Sequence, residues 1–438
     1  MGKPVVSIVR YEKNQDSVRK AVELCGGLNH LPPKAKVFIK PNIVFWTHKV
    51  SFPKWGVITT SRTVEDMVIL LKERGIEEIT IGEGMVVALK DRESPNSAFE
   101  SLGYNLLKKR YGIKVINVHE RKFREVDLGN GDTLHFNADI LDSDFVVNIP
   151  VLKTHAQTVV SLGIKNLKGT INVDSRKKCH NADPEKNLHY WVSKLADPMP
   201  PMLTLLDGIY TTARGPSFDG RVRRSNILVA SADVFSADLV GAMVLGHEPS
   251  EVPQLVHAAK NRNRRLDLTD VEVVGEEIGK VASRHESAFP YSGDTLPLPM
   301  AKMGIKGLSY RKYDLTMCTY CSGLNGVVLA AIAAAWKGQP WDDVEVLTGK
   351  AMAPSPGMKK TILFGKCMYQ KHKDNPDIQE MIPIKSCPPK PASVIKAFHQ
   401  AGIEINPSII ENADMAPGFF MKRYEGKPEF EEGHFTVI

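Results

Sequence analysis

Apolar positions in the first third of the chain alternate between two rhythms. Short apolar blocks at PVVSIV (4–9), KVFIKPNIV (36–44), IEEITIGEG (76–84), IKVINV (113–118) and SDFVVNIPVLK (143–153) have strand length and strand composition. Between them, SRTVEDMVILLKERG (61–75) and SAFESLGYNLLKKRYG (97–112) repeat apolar residues at helical spacing, with Ser61 a candidate N-cap and Gly75 a stop. Single helices between strands predict a parallel, doubly wound sheet. The pattern continues through strands at 201–210, 223–233 and 270–276 and helices at 234–246 and 251–262.

The rhythm breaks over residues 283–317, a stretch rich in Pro, Gly and Ser that reads as a linker or crossing segment. Beyond it, strands are expected at 343–350, 359–366 and 379–386, with helices at about 323–337 and 391–401. The predicted fold class is therefore α/β. A doubly wound, mostly parallel sheet occupies a first domain, 1–282, and a second, smaller α/β domain occupies 318–438.

Composition adds limits. The chain has 438 residues, 42% hydrophobic and 24% charged, which fits ordered globular domains. A net charge of +7 suits anionic small molecules or an acidic partner. The basic runs at 108–110, 121–124, 221–224 and 260–265 are scattered and lack interleaved stacking aromatics, so no nucleic-acid partner is expected. The start, MGKPVVSIVR, lacks a signal-peptide core, and Val6 breaks the myristoylation pattern. The longest apolar run, Val327 to Trp336, falls short of the about 20 residues that span a bilayer. These features predict a cytoplasmic protein with no membrane span.

Six cysteines in so long a chain are too few for a disulfide scaffold, so clustered ones point to metal or redox chemistry. Cys318 and Cys321 form a C-x-x-C pair before a helix, while Cys367 and Cys387 close two predicted strands. Strand ends of a parallel sheet gather on one edge, beside helix N-termini, so this topology brings all four thiols together. Four thiolates hold a [4Fe–4S] cluster or a structural zinc. One short knuckle plus two distant cysteines favours the cluster. The run CPPKP (387–391) stiffens the loop and resembles the cluster-binding CPP of hydrogenase small subunits and their complex I relative. Buried core cysteines are the plain alternative. Cys25 reads as core, and Cys179, in RKKCH, as an exposed thiol.

A second group lies in NIPVLKTHAQTVVSLGIKNLKGTI (148–171). Lys153, Thr154 and His155 follow a strand, at the edge where α/β sheets bind ligands. His155 and Lys153 are candidate catalytic groups, and Lys165, Lys168 and Asp207 candidate anion-binding groups. A solvated loop is the competing reading.

The segments IKPNIV (39–44), IGEG (81–84), IPVLKTH (149–155), GIKNLKGTI (163–171), LLDGIYTTARGPSFDG (205–220) and LVASADVFSADLVGAMVLG (228–246) resemble the domain-of-unknown-function family 362. The resemblance covers about residues 1–250 and implies the α/β fold more than a reaction. Several such proteins add a ferredoxin-type insert; here the cysteines are dispersed over a C-terminal α/β unit instead. The family is distantly similar to nickel-pincer lactate racemases, whose lysine and histidines correspond most nearly to Lys165 and His155. Their Gly-Gly-Arg-Lys run is absent, so the nickel cofactor is not carried over.

The sequence thus predicts an anaerobic-type iron–sulfur protein, an enzyme using its cluster as redox centre or Lewis acid on a small anion between two α/β domains. An electron-donor protein is a candidate partner, and an oligomer or a further organic cofactor is compatible with the sequence. An electron-transfer or cluster-carrier protein and a zinc-stapled ligand-binding protein are the alternatives.

Overall fold

The computed structural model describes residues 2–12, 16–85, 95–293 and 295–438. Its strands, in chain order, begin with β1 (Val5–Arg10), β2 (Val37–Pro41), β3 (Ile79–Glu83) and β4 (Lys114–Asn117). A separate hairpin, β5 (Phe123–Asp127) and β6 (Thr133–Asn137), precedes β7 (Phe145–Ile149), β8 (Val151–His155) and β9 (Val159–Ser161). Then come β10 (Met202–Ala213), β11 (Arg221–Ser231) and β12 (Glu272–Gly275). The main sheet has the order β12-β1-β11-β10-β7-β2-β3-β4, with β8 beside β10 and β9 beside β8. Pairings from β10 through β4 are parallel, whereas β11 runs antiparallel to both β10 and β1. The sheet is thus largely parallel, as the strand–helix alternation predicts, with β11 and the short β9 antiparallel to their neighbours.

Central strands are apolar on both faces because helices cover both. Ile39, Val147 and Leu205 join one layer with Val18, Val64 and Met67, while Phe38, Val146 and Leu206 join the other with Trp191, Phe235 and Leu255. The block 143–153 reads as one strand in sequence but forms two. Pro150 cannot donate to the ladder, and the chain steps there from β7 to β8. Both segments run beside β10, at Met202↔Val146 and Asp207↔Val151. This step carries Lys153–His155 past the end of β7, and β9 turns back antiparallel with Lys153 opposite Ser161.

A short pair, β13 (Tyr291–Ser292) and β14 (Leu296–Pro297), leads into the second sheet. That sheet comprises β15 (Leu308–Tyr310), β16 (Val344–Leu347), β17 (Lys360–Leu363) and β18 (Glu380–Pro383), in sequential order and all parallel. Helices Thr319–Ala335, Lys366–His372 and Pro391–Gln400 follow β15, β17 and β18. Tyr310, Val328, Ile332, Val346, Ile362 and Phe398 share its core. The end of the chain returns to the main sheet, with Tyr424 and Phe435 buried in the layer that holds Trp55 and Tyr210. The Tyr210 hydroxyl donates to Glu429 O at 3.0 Å and the Ile438 amide to Glu65 at 2.9 Å.

Candidate functional site

The step at Pro150 sets the first part of the site. Lys153 is 1% exposed, and its Nζ donates to Asn42 Oδ1 at 2.6 Å and Val57 O at 2.8 Å. Burial pushes its pKa down to about 7, with Lys40 adding to the effect and Glu83 opposing it. Lys165 belongs to the short helix Gly163–Asn166, and Lys168 to the 3-10 turn Leu167–Thr170 directly after it. Their three-residue spacing puts them on one side of this segment. Both keep partial solvent access within an otherwise buried stretch. Burial, then Lys168 and Lys153, holds the Lys165 amine well below its usual range, and it makes no hydrogen bond among the described residues. Burial likewise lowers Lys168 to about 8.

Two histidines complete this group, and their partners fix their tautomers. A carbonyl only accepts, so His180 Nδ1–H donates to Leu315 O at 2.8 Å. Its Nε2 is then the acceptor for Lys168 Nζ at 2.7 Å. At His155 the polarity is reversed, because Nδ1 accepts the Gln157 amide N–H at 3.1 Å. Burial and the charges of Lys165, Lys168, His180 and Lys153 keep His155 neutral, so its Nε2 carries the proton. His155 is therefore a hydrogen-bond donor to a ligand in this state. Beside it, Val159 holds φ +61, a strained value for a β-branched residue, where β9 turns back.

The thiols form the second part. Cys318 is the N-cap of helix Thr319–Ala335, where amides and helix dipole favour an anion. The neighbouring Cys321 holds the Cys318 thiol low, with help from the Tyr320 and Cys321 amides, while Cys321 itself is pushed up. Cys367 lies in the first turn of helix Lys366–His372 rather than at the strand end expected from sequence, because Gly365 has already ended the strand run. Gly365 adopts φ +98, and a Cβ there would lie 3.3 Å from Cys321 Sγ. Cys387 sits in the loop after β18. The charges of Cys367 and Cys387 both act on Cys321, and those of Cys318 and Cys367 act on Cys387. Cys367 and Cys387 are exposed. Among the described residues, no three His, Cys, Asp or Glu side chains are gathered closely enough for one metal ion.

The two parts meet across the interface between the sheets. Lys350, from the turn after β16, donates to His180 O at 2.5 Å and Lys177 O at 3.2 Å. Gln157 Nε2 donates to Asp314 O at 2.8 Å and Met317 O at 3.0 Å, just ahead of the cysteine pair. Lys177 Nζ lies 5.3 Å from the Tyr320 ring centroid. A crevice of about 20 Å³ between Arg176, Lys177, Cys318 and Tyr320 has room for about one water. The charges of Cys179 and Cys318 reach Lys168, and that of Lys177 reaches Cys387.

Asp207 makes different contacts from the lysines. It accepts the Thr60 and Ile209 amides at 2.7 and 3.2 Å, its pKa raised by burial, at the start of helix Ser61–Glu73. Cys179 overturns its reading as an exposed thiol. It is 0% exposed, packed in the layer of Leu188 and Trp191, and burial raises its pKa despite the flanking lysines. Sequence reasoning assigned no role to His180, to Lys350 or to the buried Lys40–Glu83 pair at 2.7 Å, although Lys40 and Glu83 stand in the segments IKPNIV and IGEG. It also missed Asp238, which receives the Gly163 and Ile164 amides at 2.6 and 3.0 Å and so anchors the segment bearing Lys165.

Residues 37–243 match the model of a family described as a domain of unknown function, DUF362. The chain is 27% identical over 249 residues to the thylakoid-associated protein sll1697 of Synechocystis, covering 56% of this chain and 74% of that protein. A lactate racemase apoprotein structure from Thermoanaerobacterium thermosaccharolyticum aligns with 15% identity and a TM-score of 0.37, over 56% of this chain and 57% of that one. No helix among the described residues is long and apolar enough to cross a membrane.

Proposed function

We propose that the chain is an iron–sulfur protein that acts on a small anion between its two sheets, with a [4Fe–4S] cluster held by Cys318, Cys321, Cys367 and Cys387. The observation that carries this reading is the mutual electrostatic influence of four thiols spread over 70 positions of sequence, with Lys168 and Lys177 of the other sheet reaching the same group. The donor set fits a cluster. Its sulfurs lie near helix N-termini, and Lys350 and Lys366 offset the negative charge that four thiolates bring.

When bound, the cluster would supply one-electron transfer or, with an open iron, Lewis acidity. The chain's own residues would do the rest. Lys165 and Lys168 would attract the anion, and His155 Nε2–H would donate to an oxygen on it. Lys153 stands behind them with a pKa near the working pH, suited to holding or releasing a proton. A cytoplasmic, reducing setting belongs to the same proposal, since it keeps four thiols available.

Exposure of Cys367 and Cys387 favours a second reading, an electron carrier that docks a partner at the open edge of its cluster. Substitution separates these from core cysteines. Cys387→Ser and Cys367→Ser should each abolish the brown absorption of anaerobically purified protein and loosen the second sheet, because thiolate ligation couples to folding. Cys25→Ala, in the first core, should keep it. Unchanged absorption in both serine variants would overturn the ligand assignment. Once a substrate is in hand, His155→Ala should abolish turnover while sparing absorption; an electron carrier would transfer electrons unimpaired.

A further inference from the structure

We infer that the edge of the second sheet around Cys367 and Cys387 is a docking face for a small acidic electron-transfer protein. The electron-transfer role rests on the iron–sulfur reading, whereas the face itself follows from topology and charge.

Strands β16, β17 and β18 are parallel, so their C-terminal ends, at Leu347, Leu363 and Pro383, open onto one edge. Hydrogen bonds draw two of the loops there into one patch. The Lys366 amide donates to Ser386 O at 3.3 Å, and the Lys390 amide to Ser386 Oγ at 3.1 Å. Three exposed lysines, Lys366, Lys385 and Lys390, thus gather about Ser386, with the exposed Cys367 and Cys387 next to them in the chain. None of the three has an ion-pair partner among the described residues, and no Asp or Glu stands in 346–373 or 381–403. The acids of the adjoining segments are engaged: Asp314 accepts the Thr316 amide at 2.7 Å, and Asp174 pairs with Lys177 at 3.3 Å. Asp342, Asp343, Asp374, Asp377 and Glu380 stand at the opposite edge, where β16 and β18 begin, and Lys359 there pairs with Asp342 at 2.5 Å. The second unit is therefore polarised along its strands, with uncompensated positive charge at the thiol edge.

The make-up of this face selects among anionic partners. A bilayer or a permanent protein partner draws on exposed apolar anchors. None of the large exposed apolar side chains among the described residues, such as Phe419 and Met415, lies in these loops. Single-stranded nucleic acid needs open aromatic faces on which bases stack. The tyrosines here already carry a lysine: Lys385 Nζ lies 4.7 Å from the Tyr369 ring centroid, and Lys177 Nζ 5.3 Å from that of Tyr320. Lysines without apolar anchors or stacking platforms steer a partner in and let it leave, which suits a brief electron-transfer encounter. Acidic groups on the carrier complement the lysines, and docking at Ser386 brings its redox group to the two exposed cysteines. One electron would pass from the reduced carrier to the oxidised cluster, with no bond made or broken.

The test is interferometric binding of two acidic carriers, a plant-type [2Fe–2S] ferredoxin and a flavodoxin, to the full chain purified without oxygen, with iron and sulfide counted in each preparation. At least one carrier should bind, and its affinity should fall about tenfold or more as salt rises from about 25 to about 300 mM. The triple variant Lys366→Glu/Lys385→Glu/Lys390→Glu should lose about tenfold or more at low salt, and the milder Lys385→Gln/Lys390→Gln should weaken binding in the same direction. Lys20→Glu/Lys108→Glu/Lys109→Glu, the same charge change on helices of the first core, should lose less than about threefold. An unchanged melting temperature verifies folding of each variant. Equal losses in the two triple variants, no binding of either carrier, or tighter lysine-dependent binding of phosphatidylglycerol vesicles or oligothymidylate than of the carriers would overturn the inference. If that happens in protein with full iron and sulfide, the cluster reading stands without this partner. If a carrier binds through these lysines to protein lacking sulfide, the docking face stands and the cluster reading falls.

Discussion

Replacing Glu83 by alanine tests how the floor of the anion site is held. Lys40 and Glu83 have side chains 0% and 3% exposed, and their atoms pair at 2.7 Å. Glu83→Ala leaves the Lys40 ammonium buried with only Pro41 O, at 2.7 Å, to receive it. Breaking a buried pair in this way costs about 3–5 kcal/mol. Lys40→Met is the milder break, because Glu83 retains the Ile43 and Gly84 amides; losing one charged hydrogen bond costs about 1.5–3 kcal/mol. The double variant, with neither charge, should then be more stable than Glu83→Ala alone. Gly169 lies against the pair, since a Cβ there would sit 2.4 Å from Glu83 Oε1 and 2.7 Å from Lys40 Nζ. Glu83→Ala should therefore also disturb the neighbouring Lys168. Urea unfolding followed by tryptophan fluorescence measures the stabilities, with Trp46, Trp55 and Trp191 reporting the main sheet. A double variant less stable than Glu83→Ala, or a Glu83→Ala cost below about 1 kcal/mol, would refute the reasoning.

Two further outcomes follow from the same geometry. Lys153 titrates near 7 in the fold but near 10.4 when unfolded, so the unfolded chain holds a proton that the native chain lacks between those values. Stability of ligand-free protein should gain up to about 1.4 kcal/mol per pH unit from this group as pH rises through that window, and urea midpoints at pH 7 and 9 should show a shallower rise in Lys153→Met; equal slopes would contradict the assignment. Gly365→Ala should cost about 1 kcal/mol or more, because φ +98 disfavours a side chain, and should lower iron content because the new Cβ meets Cys321. Full iron in that variant would place Cys321 outside the cluster's ligand set.

Local rhythm made the main sheet legible. Apolar blocks such as 36–44 and 201–210 correspond to β2 and β10, and the all-parallel second sheet follows from blocks of the same kind. The antiparallel course of β11 was not legible, because a strand's direction relative to its neighbours leaves no periodicity. Cys179 was misread for a related reason: Lys177 and Lys178 make its surroundings look polar, yet its own side chain turns into the layer of Leu188 and Trp191. The lysines were recognisable as a group from their position after a strand. The partners that set their chemistry, His180 twelve residues past Lys168 and Lys350 from the other sheet, are joined to them only by tertiary contact. The same holds for the chain's end: sequence grouped Tyr424 and Phe435 with the second unit, and they are buried against the first core.

Elemental analysis bears on the central claim most directly. Iron, acid-labile sulfide and zinc should be counted in one sample of full-length protein purified without oxygen. The account predicts about four iron and four sulfide per chain and no stoichiometric zinc. One zinc per chain with no sulfide would contradict it, and would turn the four cysteines into a structural staple.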